Sequence, residues 1–318
     1  MSTPKPVYPG KTILASKIAA QYSDEIKQGV AELDFKPTLV GFLANDDPAA
    51  VMYANWSAKT TESLGFTYKL IQCDKNDLEM HILKANETPS VHGIMVYFPV
   101  FGDSQDSYLQ QCVSPHKDVE GLNHLYYRNM YHNIRFLDEQ QQQKSILPCT
   151  PLAVVKIMEY LQVYNPLIDY GNRLYGKKVV IVNRSEIVGR PLAALLANDG
   201  ATVYSVDINN IQEFTRGNDL SLSRHQVKPL EGTSQLNELI SEADVIITGV
   251  PTAAYKFPTE AVKNGAVCIN FSSEKNFRED IKTKAGLYVP NIGKVTQAML
   301  LRNLLRLIEN KKRRENAV

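Results

Sequence analysis

Val179-Val180-Ile181-Val182-Asn183-Arg184-Ser185-Glu186-Ile187-Val188-Gly189-Arg190-Pro191 runs from an apolar stretch through a polar turn into a helix start. Val179–Val182 reads as a buried parallel strand and Pro191–Asn198 as the helix after it. In a doubly wound sheet, such a turn is where a dinucleotide pyrophosphate meets the unpaired amides of a helix N-terminus. Only Gly189 stands where the usual fingerprint has three glycines, so an ordinary strand-to-helix turn competes with this reading. The next strand, Thr202–Val206, shifts the balance because it ends at Asp207, about 24 residues after Asn183. A carboxylate there accepts hydrogen bonds from the adenosine ribose and repels the extra phosphate of NADP. The following Ile208 offers that phosphate no donor. A solvated strand-end aspartate is the alternative. Taken together, the pattern points to NAD, with Arg184, Ser185, Ile187, Val188, Asp207 and Ile208 as candidate contacts. Thr248, Gly249 and Val250, closing the strand Val245–Thr248, join them on the cofactor side.

Outward from this turn, strands and helices alternate in two series that join near Pro148. The first has a helix over Ile13–Leu33, a strand over Pro37–Leu43 and a helix after Asp46-Asp47-Pro48, where an aspartate N-cap precedes proline. Strand Phe66–Ile71, helix Asp77–Asn86 and strand His92–Val96 follow. Residues Asp138–Lys144, with four consecutive glutamines, read as an exposed loop. Thr150-Pro151 caps a helix over Leu152–Tyr164, which bridges the halves. In the second series, Val267–Asn270 is a further strand and Lys294–Glu309 a helix burying one face, while the polar insert Asn209–Glu231 stays unplaced. Repeated β-α-β order argues for parallel sheets covered by helices, an α/β fold of two domains.

The 318 residues suit two cores rather than one. A net charge of +1 gives no electrostatic case for nucleic acid or an anionic membrane. No apolar run is long enough to span a membrane, and the proline-bearing start Met1–Thr12 resembles neither a secretory signal nor a transit helix. Four scattered cysteines without a Cys-x-x-Cys pair suit a reducing, cytoplasmic setting. No histidine pairs with a carboxylate at ligand spacing, so no metal site is expected. The basic run Lys311–Arg314 reads as a frayed, solvated tail.

Five strings then carry a resemblance. They are Gly93-Ile94-Met95-Val96-Tyr97-Phe98-Pro99, Lys117-Asp118-Val119-Glu120-Gly121, Pro148-Cys149-Thr150-Pro151, Arg184 to Pro191, and Thr296-Gln297-Ala298-Met299-Leu300. In this order they resemble the methylenetetrahydrofolate dehydrogenase/cyclohydrolase family, and most of all its fungal, monofunctional, NAD-dependent branch. The resemblance implies two α/β domains across a cleft. Residues 1–150, rejoined by the C-terminal helix 296–318, make the folate-binding domain, and residues 151–295 the NAD-binding Rossmann domain. It also implies a tetrahydrofolate-derived substrate and a homodimer. The family's bifunctional members carry, four residues after a tyrosine, the lysine that cyclohydrolase chemistry requires. Here Tyr53 is followed at that spacing by Ser57, and Lys59 points roughly 200° away on a helix. Tyr97 replaces the glutamine that contacts that lysine, and Glu120 stands where the family has a second aspartate. The family's Pro-Gly-Gly-Val loop is altered to Val289-Pro290-Asn291-Ile292.

Hydride removal from the folate methylene leaves a cation stabilised by nitrogen, so the dehydrogenase step needs positioning rather than a strong base. Hydrolysis of the product needs activated water, where a tuned lysine helps. The expectation is therefore NAD-dependent oxidation of 5,10-methylenetetrahydrofolate without cyclohydrolase activity. Tyr53 and Cys149 are the catalytic candidates, and Tyr53, Ser57, Tyr97, Asp118 and Glu120 the substrate-side residues. Each has a plainer alternative: Tyr53 as a buried helix tyrosine, Cys149 as packing beside the cleft, Asp118 as a loop-capping carboxylate. A bifunctional enzyme and a non-catalytic NAD-sensing protein are the competing functions.

Overall fold

The structure is a computed structural model and describes residues 10–45 and 48–316. In chain order its strands are β1 (Lys11–Thr12), β2 (Thr38–Leu43), β3 (Thr67–Gln72), β4 (Gly93–Val96), β5 (Lys178–Val182), β6 (Thr202–Val206), β7 (Ile211–Thr215), β8 (Gln226–Leu230), β9 (Val245–Thr248), β10 (Val267–Asn270) and β11 (Leu287–Val289). The helices are α1 (Ala15–Ala31), α2 (Pro48–Ser63), α3 (Leu78–Glu87), α4 (Ser104–Cys112), α5 (His124–Tyr131), α6 (Cys149–Tyr160), α7 (Gly189–Asn198), α8 (Leu236–Glu242) and α9 (Gly293–Asn316). Two compact units result. One is the described part of Met1–Ile18 with Thr150–Val295, and the other Ala19–Cys149 with the described part of Thr296–Val318.

The first unit holds an eight-stranded sheet in the order β1-β11-β10-β9-β5-β6-β7-β8. Its central strands, β5 and β9, are buried and apolar on both faces, as parallel strands under helices must be. The chain leaves β5 for β6 on one side and returns through β9 on the other, so the strand order reverses between β5 and β9. Ligands of doubly wound sheets bind outside the carboxyl ends of the strands at such a switch. Two features depart from the sequence reading. Lys11 and Thr12 pair in parallel with Leu287 and Tyr288, so the N-terminal segment belongs to this unit and not to the first domain. Backbone pairing over two residues leaves no side-chain pattern to read. The unplaced insert is an antiparallel hairpin, β7 and β8, added to the sheet edge beside β6. Ile211 and Phe214 bury its inner face, and Arg216 Nη1 ties its loop to Asn172 Oδ1 at 2.8 Å.

In the second unit the parallel sheet is β3-β2-β4. Val40, Phe42, Ile94 and Val96 pack there with Leu78 and Ile82 of α3 and Leu109 of α4. The aspartate N-cap read before α2 lies outside the described residues. Helix α6 opens at Cys149, one residue before the expected cap, and closes at Tyr160, just ahead of Gln162 in the left-handed region at φ 58°. The basic run is no frayed tail, since α9 continues to Asn316. Arg313 Nη2 meets Glu309 Oε1 at 2.6 Å, and both Arg313 and Arg314 are half-buried. Three buried amides on α9 hold three segments of this unit. Gln297 donates to Thr61 Oγ1 at 3.1 Å, Asn303 to the carbonyls of Val119 and Leu147 at 2.9 and 3.0 Å, and Asn310 to that of Lys144 at 3.0 Å.

Candidate functional site

At the carboxyl end of β5 the chain turns through Asn183–Val188 into α7. Asn183 links both sides of the switch, its Nδ2 donating to the Gly249 carbonyl at 2.8 Å and its Oδ1 accepting from Ser185 N at 2.9 Å. The Ser185 hydroxyl accepts from Val188 N and Gly189 N, both at 3.3 Å, which closes the turn on itself. Gly189 is required by space. A Cβ there would lie 2.1 Å from the Asn183 carbonyl oxygen, so the helix could not start so close under the strand.

Asp207 follows β6 beside Asn183, whose N–H donates to the Val206 carbonyl at 3.2 Å. Its carboxylate is exposed and accepts from Ile208 N at 2.8 Å, while Ile208 is 90% exposed. Arg184 is tied into the fold at this corner. Its guanidinium donates to the Ser205 hydroxyl at 3.0 Å, to the Ser205 carbonyl, and to both oxygens of Asn210. These bonds pin the β6–β7 corner and engage the arginine that could otherwise grip a phosphate on the ribose. Thr248 is buried with its hydroxyl on Asn270 Oδ1 at 3.3 Å, and Val250 N donates to Asn276 Oδ1 at 2.8 Å. Ile187 and Val188 stand on the turn, Ile187 exposed and Val188 half-buried. The corner fits NAD: a tight strand-to-helix turn, an open carboxylate after the next strand, and no free cation from Arg184.

The substrate-side candidates gather in the second unit at the carboxyl ends of β2 and β4. Helix α2 places Ser57 one turn after Tyr53, on a shared face. Ser57 is fully buried, and its hydroxyl donates to Gln297 Oε1 at 3.3 Å. Lys59 is exposed, as the helical arithmetic requires. Tyr97 follows β4 and meets the Tyr53 ring edge-on, with centroids 6.0 Å apart. Its hydroxyl lies 2.6 Å from that of Tyr68 on β3. Tyr68 reaches across β2 only because residue 41 is glycine, since a Cβ there would stand 2.2 Å from the Tyr68 hydroxyl.

The two carboxylates divide their roles. Asp118 is buried, with Oδ1 accepting from Glu120 N and Gly121 N at 3.1 and 2.9 Å and Oδ2 from Asn123 N at 2.7 Å. It caps its loop, the plainer of its two readings. Burial lifts its carboxyl to about 6, against the pull of those amides. Glu120 is half-buried, and Oε2 accepts from Val96 N at 2.9 Å, which leaves Oε1 for a ligand. Burial, aided by the Asp118 charge, pushes Glu120 up to about 8. Cys149 is half-buried and its N–H donates to the Glu120 carbonyl at 3.1 Å. Burial raises the Tyr53 hydroxyl well above the usual tyrosine range, and Cys149, Tyr97 and Glu120 add to the shift. The Tyr53 hydroxyl therefore keeps its proton. Tyr68 and Gln297 are members of this cluster that sequence reasoning gave no role, because each acts through a partner remote in sequence. Among the described residues, no three His, Cys, Asp or Glu are grouped to hold a metal ion, and no helix is long and apolar enough to cross a membrane.

Known proteins show the same two parts. Residues 13–120 match the catalytic domain of tetrahydrofolate dehydrogenase/cyclohydrolase, and residues 148–224 its NAD(P)-binding domain. Methylenetetrahydrofolate dehydrogenase [NAD(+)] of Saccharomyces cerevisiae is 62% identical over 95% of this chain and 97% of its own length. The protein of that name from Dictyostelium discoideum is 48% identical over 92% of each. The solved structure of the NAD-dependent 5,10-methylenetetrahydrofolate dehydrogenase from Saccharomyces cerevisiae superposes with a TM-score of 0.92, at 60% identity, over 97% of this chain and 100% of that one. With an α/β catalytic part first and a Rossmann-like part after it, this chain belongs to the tetrahydrofolate dehydrogenase/cyclohydrolase family.

Proposed function

We propose that this chain is an NAD-dependent 5,10-methylenetetrahydrofolate dehydrogenase without cyclohydrolase activity, acting as a homodimer in the cytoplasm. NAD supplies the hydride acceptor, C4 of its nicotinamide. The protein's part is to hold the folate so that its methylene carbon faces that atom. Glu120 Oε1 and the Tyr53 hydroxyl are the polar groups for this, and Ser57, Tyr97 and Tyr68 keep the Tyr53 surroundings in place. Asp118 shapes the loop that presents Glu120. Asp207 is the ribose acceptor that favours NAD, with Ser185, Gly189 and Val188 forming the pyrophosphate turn.

The observation that carries the monofunctional reading is Ser57, buried one turn after Tyr53 and bonded to a neutral amide. Lys59, the lysine nearest Ser57 in sequence, is exposed and does not supply an ammonium there. Product hydrolysis then lacks the group that would move protons for it. Folate-dependent formation of NADH, followed by absorbance, tests the dehydrogenase. Methenyl product should accumulate, and its loss faster than in buffer alone would refute the monofunctional assignment.

A further inference from the structure

The basic run Lys311-Lys312-Arg313-Arg314 has no part in the chemistry above, yet two of its members face a cavity of about 450 Å³. The cavity lies within the second unit, at the amino end of β4, where His92 enters the strand. Tyr97 and Glu120 belong to the opposite, carboxyl end. Lys311 and Arg314 stand three apart on α9 and so share a face, Arg314 making one long bond from Nη1 to Gln143 Oε1 at 3.4 Å. His92, His116 and Lys117 join them from two other segments.

The histidine is set as a donor. His92 Nδ1 accepts from Thr38 N at 3.1 Å, so the neutral ring carries its proton on Nε2. Phe35 stacks on the ring at 4.6 Å and fixes its plane. Lys117 Nζ donates to the carbonyls of Ala85 and Thr88 at 2.9 and 2.8 Å, neutralising the carboxyl end of α3, which would otherwise repel an anion. Burial first, and then the neighbouring cations, hold His92, His116 and Lys117 below their ordinary values, as expected where like charges crowd. The floor is apolar, from Val91, Leu307 and Ile308. Two carboxylates share the rim: Glu87, and Glu315 at 3.8 Å from Lys311.

We infer that this cavity binds a small organic phosphate bearing two or more charges, held by Lys311, Arg314 and the Nε2–H of His92, with its uncharged part on Val91, Leu307 and Ile308. The Lys311–Glu315 pair is long and open to water and competes weakly, while the cations facing the one cavity favour a ligand of two or more charges. The phosphate donor set is of the ordinary kind, a guanidinium fork beside point charges.

Calorimetric titration with ATP, and separately with tripolyphosphate, tests this on the full chain with NAD saturating, so that the dinucleotide corner is filled. One saturable site is expected, tighter for ATP than for tripolyphosphate. Lys311→Ala with Arg314→Ala should weaken it about tenfold or more, and Glu315→Gln should tighten it, with dehydrogenase turnover unchanged in both variants. ATP binding no tighter than tripolyphosphate overturns the organic part of the assignment. No saturable binding, or binding unaltered in the double variant, overturns the site.

Discussion

The turn Asn183–Gly189 and the cluster around Tyr53 are built on opposite principles. The turn is held by neutral hydrogen bonds and by the absence of a side chain at Gly189. The cluster is held by ionisable groups out of water: Tyr53, Tyr68, Tyr97, Asp118 and Glu120 are all raised by burial. A dinucleotide is gripped through its fixed outline, and shape suffices for that. In the proposed function a pterin edge is read by donors and acceptors at this cluster, so that site depends on protonation and the turn does not.

Gly189→Ala attacks the shape side and should have the largest effect. A Cβ at 2.1 Å from a backbone oxygen cannot be absorbed by a rotamer change, so the turn must open. About 2–3 kcal/mol of stability should be lost in urea unfolding, together with NAD affinity. Normal stability and normal NAD binding in the Gly189→Ala variant would show that the turn tolerates what its geometry excludes.

Glu120→Gln attacks the protonation side. It keeps an acceptor for Val96 N but removes the ionisable carboxyl, and should lower kcat/KM for the folate by about 2 kcal/mol while the KM for NAD stays put. Stability separates the two principles further. A carboxyl whose folded value, about 8, exceeds its ordinary 4.5 keeps its proton in the folded state after the unfolded chain has released it. Its contribution is therefore full below about 4.5 and is lost as the pH rises towards about 8. Subtracting the pH–stability curve of Glu120→Gln from that of wild type should leave this decline, and a flat difference would remove Glu120 from the buried set.

The smallest effect belongs to Asp207→Ser with Ile208→Ser. Both positions are exposed, so stability should hold while the NAD-to-NADP ratio of kcat/KM falls about tenfold. An unchanged ratio would locate cofactor choice elsewhere.

These contrasts follow what could be read in advance. Strands such as Val179–Val182 and Gly93–Val96 were legible because burial on both faces demands unbroken apolar runs. Ser57 and Lys59 were separable by helical arithmetic alone. The hairpin β7–β8 was not, because an edge ribbon buries only Ile211 and Phe214 and leaves β8 largely in water. Arg184, a cofactor candidate, directs its donors to Ser205 and Asn210, partners that fold proximity creates and spacing does not announce. The same holds for Tyr68, whose role depends on the empty space over Gly41.

Helix α9 carries a consequence for the order of assembly. Its amides at 297, 303 and 310 reach partners 236, 156 and 166 residues earlier in the chain. Each contact encloses the whole of Thr150–Val295 within its loop. Loop-closure entropy must be overcome before such contacts form, whereas β5, β6, β9, β10 and β11 within the enclosed segment pair over far shorter separations, β1 joining β11 from the far end of the chain. The enclosed segment can therefore pair its own strands first, and its compaction draws the flanking parts of the chain together. The second unit closes last, with the helix that completes it acting as a latch on the segments behind Glu120 and Ser57.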